Sequence, residues 1–331
     1  LMNRIISDID YQITSLRIVI SIGVYLITDR TVSVHTAADR ADIARSSVKV
    51  HKESIYCFFE FSMLENIREE HFIENIMETA LERKEFMVYL QPKFSLDHEN
   101  EVTGAEALVR WKHNGTILSP GQFIPLFERN GFVTKLDFYM FREICRLQKS
   151  WINQGFTPKI ISVNMSRAHL RNPGFVQELV NYCKEYEIDP KYFEIEITES
   201  AAFENIDILM AVFKQIKEAG FHVSIDDFGT GYSSLNMLKD LPVDVLKIDR
   251  SFLTENASES ENASKIIGSV VSLATVLNIS TICEGIETRE QANLLTKLGC
   301  DMAQGFFFAR PMPIEEYEKL VYSDEDEEKA V

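Results

Sequence analysis

The 331-residue chain is 45% hydrophobic and 26% charged and carries a formal net charge of −17, a composition that suits one large domain plus a smaller one. That acidic balance excludes broad contact with a nucleic acid polymer, whose binding depends on neutralising phosphates with Lys and Arg, although a small anion can bind where metal ions reverse the local sign. Five scattered cysteines (Cys57, Cys145, Cys183, Cys283 and Cys300), none in a C-x-x-C pair, argue against both disulfides and a zinc site.

The longest apolar run, "LRIVISIGVYLI" at residues 16–27, is shorter than the ~20 residues of a membrane helix and rich in β-branched side chains, so it predicts a buried strand and no membrane insertion. The chain opens without a signal-peptide pattern, which places it in the cytoplasm. A helix signal, "TAADRADIARSSVKVHK", and a second apolar run, "SIYCFFEF", complete a first unit of residues 1–61. The stretch "MLENIREEHFIENIMETALERKE" then has apolar residues at helical spacing and predicts an amphipathic linker helix over 62–84.

From 85 to 323 short β-rich runs alternate with helical segments, the pattern of an α/β domain with a mostly parallel sheet. The predicted strands are "FMVYLQPKF", "VTGAEALVRW", "IISVNMS", "YFEIEITES", "FHVSIDDF", "VDVLKID", "STICEGIE" and "MAQGFFFA". Eight strands in about 240 residues is the size of a barrel. Only a polar loop, "SLDHENE", separates the first two, so they are expected to form an antiparallel hairpin. Amphipathic helices such as "GFVQELVNYCKEYE" and "TREQANLLTKLG" fill the intervals, the latter opened by a Thr-x-x-Gln capping box and closed by Gly299. The acidic tail, 324–331, is expected to be solvated and frayed.

Chemistry in a parallel barrel sits where the strands end, and polar residues recur there: Glu106, Asn164, Glu196, Asp226, Asp227, Lys247, Glu284 and Gln304. Singly, each reads as a cap or a hydrogen-bonded end residue. Jointly, five carboxylates at one rim repel one another and force their own protonation unless cations intervene. Carboxylate and amide oxygens, with no histidine or thiolate among them, suit hard ions such as magnesium or manganese. Glu106, Asn164, Glu196 and Asp226 could hold one ion, and Asp226 with Asp227 could bridge to a second ~4 Å away, the arrangement that clamps a phosphodiester for hydrolysis. Lys247 would either orient water and neutralise phosphate at the mouth or pair with a carboxylate such as Asp249. Glu284 could take the proton of the water, while Glu287 is equally a structural candidate. Gly229 and Gly231 in "DDFGTGYSSL" suggest a mobile lid, with Ser233 or Ser234 capping the next helix; Glu199 would anchor the lid or serve as a plain N-cap.

At this point the motifs resemble a family. "GAEALVRW", followed in order by "FIPLFERNG", "VNMS", "EIEITES", "SIDDFGTGYSSL", "LKIDRSF", "CEGIE" and "AQGFFFARPM", and preceded by "YLQPKF", is similar to the EAL-domain cyclic di-GMP phosphodiesterases of bacterial second-messenger signalling, over residues 86–322. The resemblance implies a modified TIM-type (β/α)8 barrel whose first strand is antiparallel to the rest, two magnesium or manganese ions, and hydrolysis of cyclic di-GMP to linear pGpG. It implies metal ligands at Glu106, Asn164, Glu196, Asp226 and Asp227, groups around the catalytic water at Lys247 and Glu284, substrate contacts at Gln91, Arg110 and Gln304, and the lid anchor at Glu199. Homodimerisation is a further family expectation. Departures such as "PLFERNG" and "FFFARPM" fall at packing or rim positions.

The first unit resembles the C-terminal half of a GGDEF domain through "VISIGVY" and "DRADIARSSVK", without room for the signature loop upstream. Such a half-sheet, a small α+β fragment, exposes an edge and is expected to pack against the barrel or a partner chain. A sensor domain outside this chain is compatible with that layout. The alternatives to hydrolysis are a non-hydrolytic cyclic di-GMP receptor and, from another class, an enolase-type proton abstractor, which also uses carboxylates and a lysine.

Overall fold

A computed structural model describes residues 20–47, 55–97, 101–199, 206–229, 235–253 and 261–329. The chain divides into two compact units, Leu1–Thr79 and Ala80–Val331.

In the first unit β1 (Ser21–Val24) and β2 (Ile55–Phe58) pair in parallel. A parallel pair needs a crossover, which α1 (Val34–Ser47) supplies. The guanidinium of Arg40 lies over the rings of Tyr25 and Phe61, 5.0 Å from each centroid. The buried strand expected over 16–27 is corrected here: its described part pairs only from Ser21 to Val24, and Leu26 and Ile27 stand 65% and 59% exposed. Two strands this short pair along only four residues, and among the described residues no neighbouring strand covers Leu26 and Ile27. Residues 16–19 of that run and 48–52 of the predicted helix lie outside the described residues. The chain then passes into α2 (Phe61–Glu82).

The second unit is a closed eight-stranded barrel. Its strands are β3 (Phe86–Ser95), β4 (Val102–His113), β6 (Ile160–Asn164), β7 (Phe193–Thr198), β8 (His222–Phe228), β9 (Val245–Ile248), β10 (Ser280–Cys283) and β11 (Met302–Ala303). The ring closes because β3 pairs with both β4 and β11, antiparallel to each, while every other barrel pairing is parallel. The hairpin expected from the short polar loop is therefore present. Two accessory strands, β5 (Thr116–Leu118) and β12 (Met312–Pro313), extend β4 and β3.

Eight helices belong with the barrel sequence among the described residues: α3 (Pro120–Asn130), α4 (Val133–Gln154), α5 (Phe175–Glu185), α6 (Ile206–Glu218), α7 (Leu235–Asp240), α8 (Glu261–Val276), α9 (Arg289–Leu298) and α10 (Ile314–Lys329). Their apolar stripes recur at three- and four-residue spacing, as in Leu136, Met140, Phe141 and Ile144 of α4 and Leu209, Val212, Phe213 and Ile216 of α6, all buried. Each such side chain contributes roughly 1.5–3 kcal/mol on burial. Thr288 and Gln291 form the predicted capping box of α9, which ends at Gly299 in the left-handed conformation.

Two expectations change. The strand read over 302–309 pairs only at Met302–Ala303, because the chain then turns tightly against Ile286: a Cβ on Gly305 would lie 2.2 Å from Ile286 backbone atoms. The acidic stretch read as frayed continues α10 as far as Lys329, a helix anchored by buried Tyr317 and Tyr322, the former 5.8 Å from the Trp151 ring.

Asp244, just ahead of β9, accepts the Val223 N–H at 2.9 Å and pairs with Lys217 and with His222. Burial opposes its charge, but these partners outweigh burial and hold the carboxyl at about 2, below its ordinary 3.8. A depressed carboxyl stabilises the fold above its unfolded pKa, and that contribution is lost as pH falls through the folded value. The wild type is expected to lose up to ~2 kcal/mol from this group between about pH 4 and 2. Asp244→Asn should flatten that part of a urea-midpoint profile against pH.

Candidate active site

Alternation along a strand explains why polar residues collect inside this barrel. On β7 Ile195 and Ile197 face the helices, so Glu194 and Glu196 share the other face and enter the lumen, where both are buried. Register carries the pattern round the ring: Asn164 of β6 sits beside Glu196, Thr198 beside Asp226, and Glu106 beside Ser162. Lys247 lies in register with Ile282 of β10, and Glu284 comes directly after the end of that strand.

The Lys247 ammonium is the centre of the site. Its Nζ lies 2.7 Å from Glu284 Oε1, 2.8 Å from Glu196 Oε2, 3.0 Å from Asp226 Oδ1 and 3.6 Å from Glu106 Oε2. The sequence-based alternative, a pair with Asp249, is not what forms: Asp249 Oδ1 instead accepts the Ser251 N–H at 2.8 Å and caps a short 3-10 turn. Glu106 is held from two sides, by Asn164 Nδ2 on Oε1 and Gln304 Nε2 on Oε2, each at 2.8 Å. Gln304 Nε2 also reaches Gln91 Oε1 at 3.1 Å, and Gln91 Nε2 donates to the Ala309 carbonyl.

The adjacent aspartates owe their joint position to an irregularity. Pairing of β8 with β9 breaks between Ile225 and Phe228, and Asp227 adopts a left-handed φ of 56°. A regular strand would send neighbouring side chains to opposite faces, and the irregularity cancels that alternation. Asp226, Asp227 and Glu284 each offer an oxygen within 4.8 Å of the others.

Electrostatics separates the acids. Burial raises the Glu106 carboxyl and pushes Glu284 up to about 8. Burial and the charge of Asp226 raise Asp227. Glu196 behaves oppositely: burial opposes its charge, yet Lys247 and Lys93 outweigh burial and hold it well below the usual carboxylate range. Lys247 is itself held well above its ordinary value, since Glu106, Glu196, Glu284 and Asp226 overcome the effect of burial.

Glu106, Glu194, Glu196, Asp226 and Glu284 outnumber the lysines Lys93 and Lys247 in this interior. That excess of acidic oxygen, with no softer donor in the three-acid group, fits a hard divalent cation.

Glu199 and Gly229 are also brought together, the Gly229 N–H donating to Glu199 Oε2 at 2.6 Å. Gly231, Ser233 and Ser234 lie outside the described residues. Arg110 stands apart from the lysine-centred cluster: it donates to the Val109 carbonyl, its guanidinium is 5.4 Å from the Tyr89 centroid, and it lines a cleft of about 260 Å³ with Asn164. A second cleft of about 280 Å³ is lined by Gln91, Glu106, Glu284 and Gln304, and Leu108 borders both.

Two charged residues of the interior, Lys93 and Glu194, were not singled out from sequence. Lys93 of β3 is 4% exposed, and its Nζ contacts Glu194 Oε1 and Glu196 Oε1, each at 2.9 Å. Its signal was present in "YLQPKF": Gln91 and Lys93 alternate with apolar or Pro positions in a predicted barrel strand, and inside a barrel an unpaired charge is untenable.

An antiparallel-started barrel with this acidic, lysine-centred mouth defines a class of protein. The sequence pattern of the EAL domain matches residues 74–311, and the chain belongs to the EAL domain family. It is 38% identical over 92% of its length to the bifunctional diguanylate cyclase/cyclic di-GMP phosphodiesterase MucR of Pseudomonas aeruginosa, covering 45% of that protein. It is 32% identical over 91% of its length to the cyclic di-GMP phosphodiesterase NbdA of the same organism, covering 38%. The chain thus spans less than half the length of these curated relatives. Among solved structures, the PaMucR phosphodiesterase in complex with c-di-GMP superposes with a TM-score of 0.69 at 36% identity, over 74% of this chain and 99% of that one. No described helix is long and apolar enough to cross a membrane.

Proposed function

We propose that this chain is a metal-dependent phosphodiesterase that hydrolyses cyclic di-GMP to linear pGpG. The observation that carries the reading is the group Asp226, Asp227 and Glu284 converging beside Lys247 at the barrel mouth, in a fold it shares with a phosphodiesterase complexed with c-di-GMP. Glu106, Asn164, Glu196, Asp226 and Asp227 would hold two magnesium or manganese ions. When bound, such ions polarise a phosphoryl oxygen and lower the pKa of a water.

The chain's own groups supply the rest. Arg110, which lines its own cleft, is the contact for a phosphate, and Leu108 borders that cleft and the one beside Glu284. Gln304 Oε1 is buried without a hydrogen-bond partner among the described residues, an acceptor open to a ligand donor beside Gln91. Water adds to one phosphorus, the bond to the ribose 3′ oxygen breaks, and that oxygen leaves as a hydroxyl by taking up a proton from solvent, equivalent to the one the attacking water gives up. Glu284, in its ionised form, takes the water's proton as general base. Lys247 offsets the negative charge that accumulates.

Glu199 anchors a lid through Gly229, and that hinge is tight: a Cβ on Gly229, whose φ is 95°, would lie 2.2 Å from the Phe252 ring. Gly229→Ala is expected to strain this turn by on the order of 1–3 kcal/mol and to lower kcat more than it alters KM, as steady-state kinetics would record. Residues 1–61 act as a GGDEF-like segment with a regulatory role, and the protein works in the cytoplasm as a homodimer.

Incubating the protein with cyclic di-GMP and manganese and separating the products tests the reading. Accumulation of pGpG is expected. Saturable binding without product would overturn hydrolysis in favour of a receptor.

A further inference from the structure

Lys93 has a place in the site that neither the motifs nor the relatives' names assign. It stands on β3, the antiparallel strand, and reaches β7, three places round the ring by way of β4 and β6. Its ammonium therefore crosses the lumen. It meets two carboxylates spaced i, i+2 on one strand face, at the same distance of 2.9 Å.

The two oxygens of Glu196 are claimed by different lysines, Oε1 by Lys93 and Oε2 by Lys247. A carboxylate gripped at both oxygens from separate strands has little freedom to rotate. Glu194, by contrast, meets Lys93 and has no contact with Lys247. A purely structural ion pair would need only Glu194, and a buried pair is a weak source of stability compared with apolar packing. The shared contact with Glu196 is what a structural pair leaves unexplained.

We propose that Lys93 is a positioning residue, which fixes Glu196 Oε1 from inside the barrel and so sets the orientation in which Glu196 faces a divalent ion at the mouth. This rests on the assignment of Glu196 as a metal ligand. Groups that hold a ligand in place typically alter metal affinity 10- to 100-fold when removed, and Lys93 supplies this from the opposite wall.

The test is calorimetric titration of Mn²⁺ into the wild type, Lys93→Met and the double variant Lys93→Met/Glu194→Gln, with melting curves alongside. Lys93→Met leaves Glu194 buried without its partner and is expected to lower the melting temperature. The double variant removes that unpaired charge and should recover it. Mn²⁺ affinity is nevertheless expected to stay down by about 10- to 100-fold in the double variant, with KM for cyclic di-GMP at saturating Mn²⁺ within about twofold of wild type. Affinity that returns to the wild-type value together with the melting temperature would overturn the positioning role and leave Lys93 a structural residue. A wild type that takes up no Mn²⁺ would overturn the metal-site reading itself, and the inference with it.

Discussion

Lys247→Met is expected to reduce pGpG formation by a factor on the order of 10³ and to destabilise the barrel by about 3–5 kcal/mol at neutral pH, as breaking a buried ion pair does. The reason is local. Four carboxylates lie within 3.6 Å of one ammonium, and methionine preserves much of the lysine stem while deleting the charge. Lys93 remains, but it engages Glu194 and only one oxygen of Glu196. Glu106, Asp226 and Glu284 then have no described cation opposite them and must take up protons or spread apart. The Glu106 and Glu284 carboxyls, already raised by burial, rise further above their unfolded values, so the stability of the variant should fall as pH rises from about 5 to 8, the direction opposite to that expected of Asp244. Urea midpoints at the two ends of that range measure the effect. Adding Mn²⁺ should restore part of the stability without restoring the rate, because the ion replaces charge but not the ammonium that the proposed function sets beside the phosphate. Equal midpoints for variant and wild type at pH 8 would mean that the acids are relieved by something other than Lys247.

How much of this was legible in the sequence turns on whether each feature is set locally or by ring closure. The barrel strands were legible because alternation and turn signals are local, and the antiparallel start because a loop as short as "SLDHENE" cannot carry a crossover. The acids of the mouth were legible as strand-end residues. Their pairing was not. Asp249 is two positions from Lys247, so proximity in sequence favoured it, yet its carboxylate is taken by the turn it caps. The partners Lys247 does find come from four other segments, Glu106, Glu196, Asp226 and Glu284, and their convergence depends on ring closure. Lys93 escaped notice for the same reason, its partners lying across the lumen. The juxtaposition of Asp226 and Asp227 depends on a register break that no alternation pattern encodes. Leu26 and Ile27 were misread because hydrophobicity predicts a strand but not what covers it.

Asp226→Asn should separate function from stability in opposite directions. Asparagine keeps the volume and one oxygen, so it can still accept the Asp227 N–H, which Asp226 Oδ1 does at 2.9 Å. What it removes is one negative charge from an interior where acids already outnumber lysines. Without divalent ions the variant is expected to melt at the same temperature as the wild type or about 2–4 °C above it, the shift of roughly 1 kcal/mol in a domain of this size. Turnover should nonetheless fall by a factor on the order of 10³, because in the proposed function the charge that burdens the metal-free fold is the one that recruits the ion. Titrating Mn²⁺ distinguishes the two effects: binding to the native state alone raises the melting temperature, so the wild type should climb with Mn²⁺ and overtake a variant that scarcely responds. A wild type that melts well above Asp226→Asn with no metal present would show the crowding of acids to be fully compensated by the protein. The barrel mouth would then have no electrostatic need of a cation, and the excess of carboxylates over lysines would cease to explain why one binds.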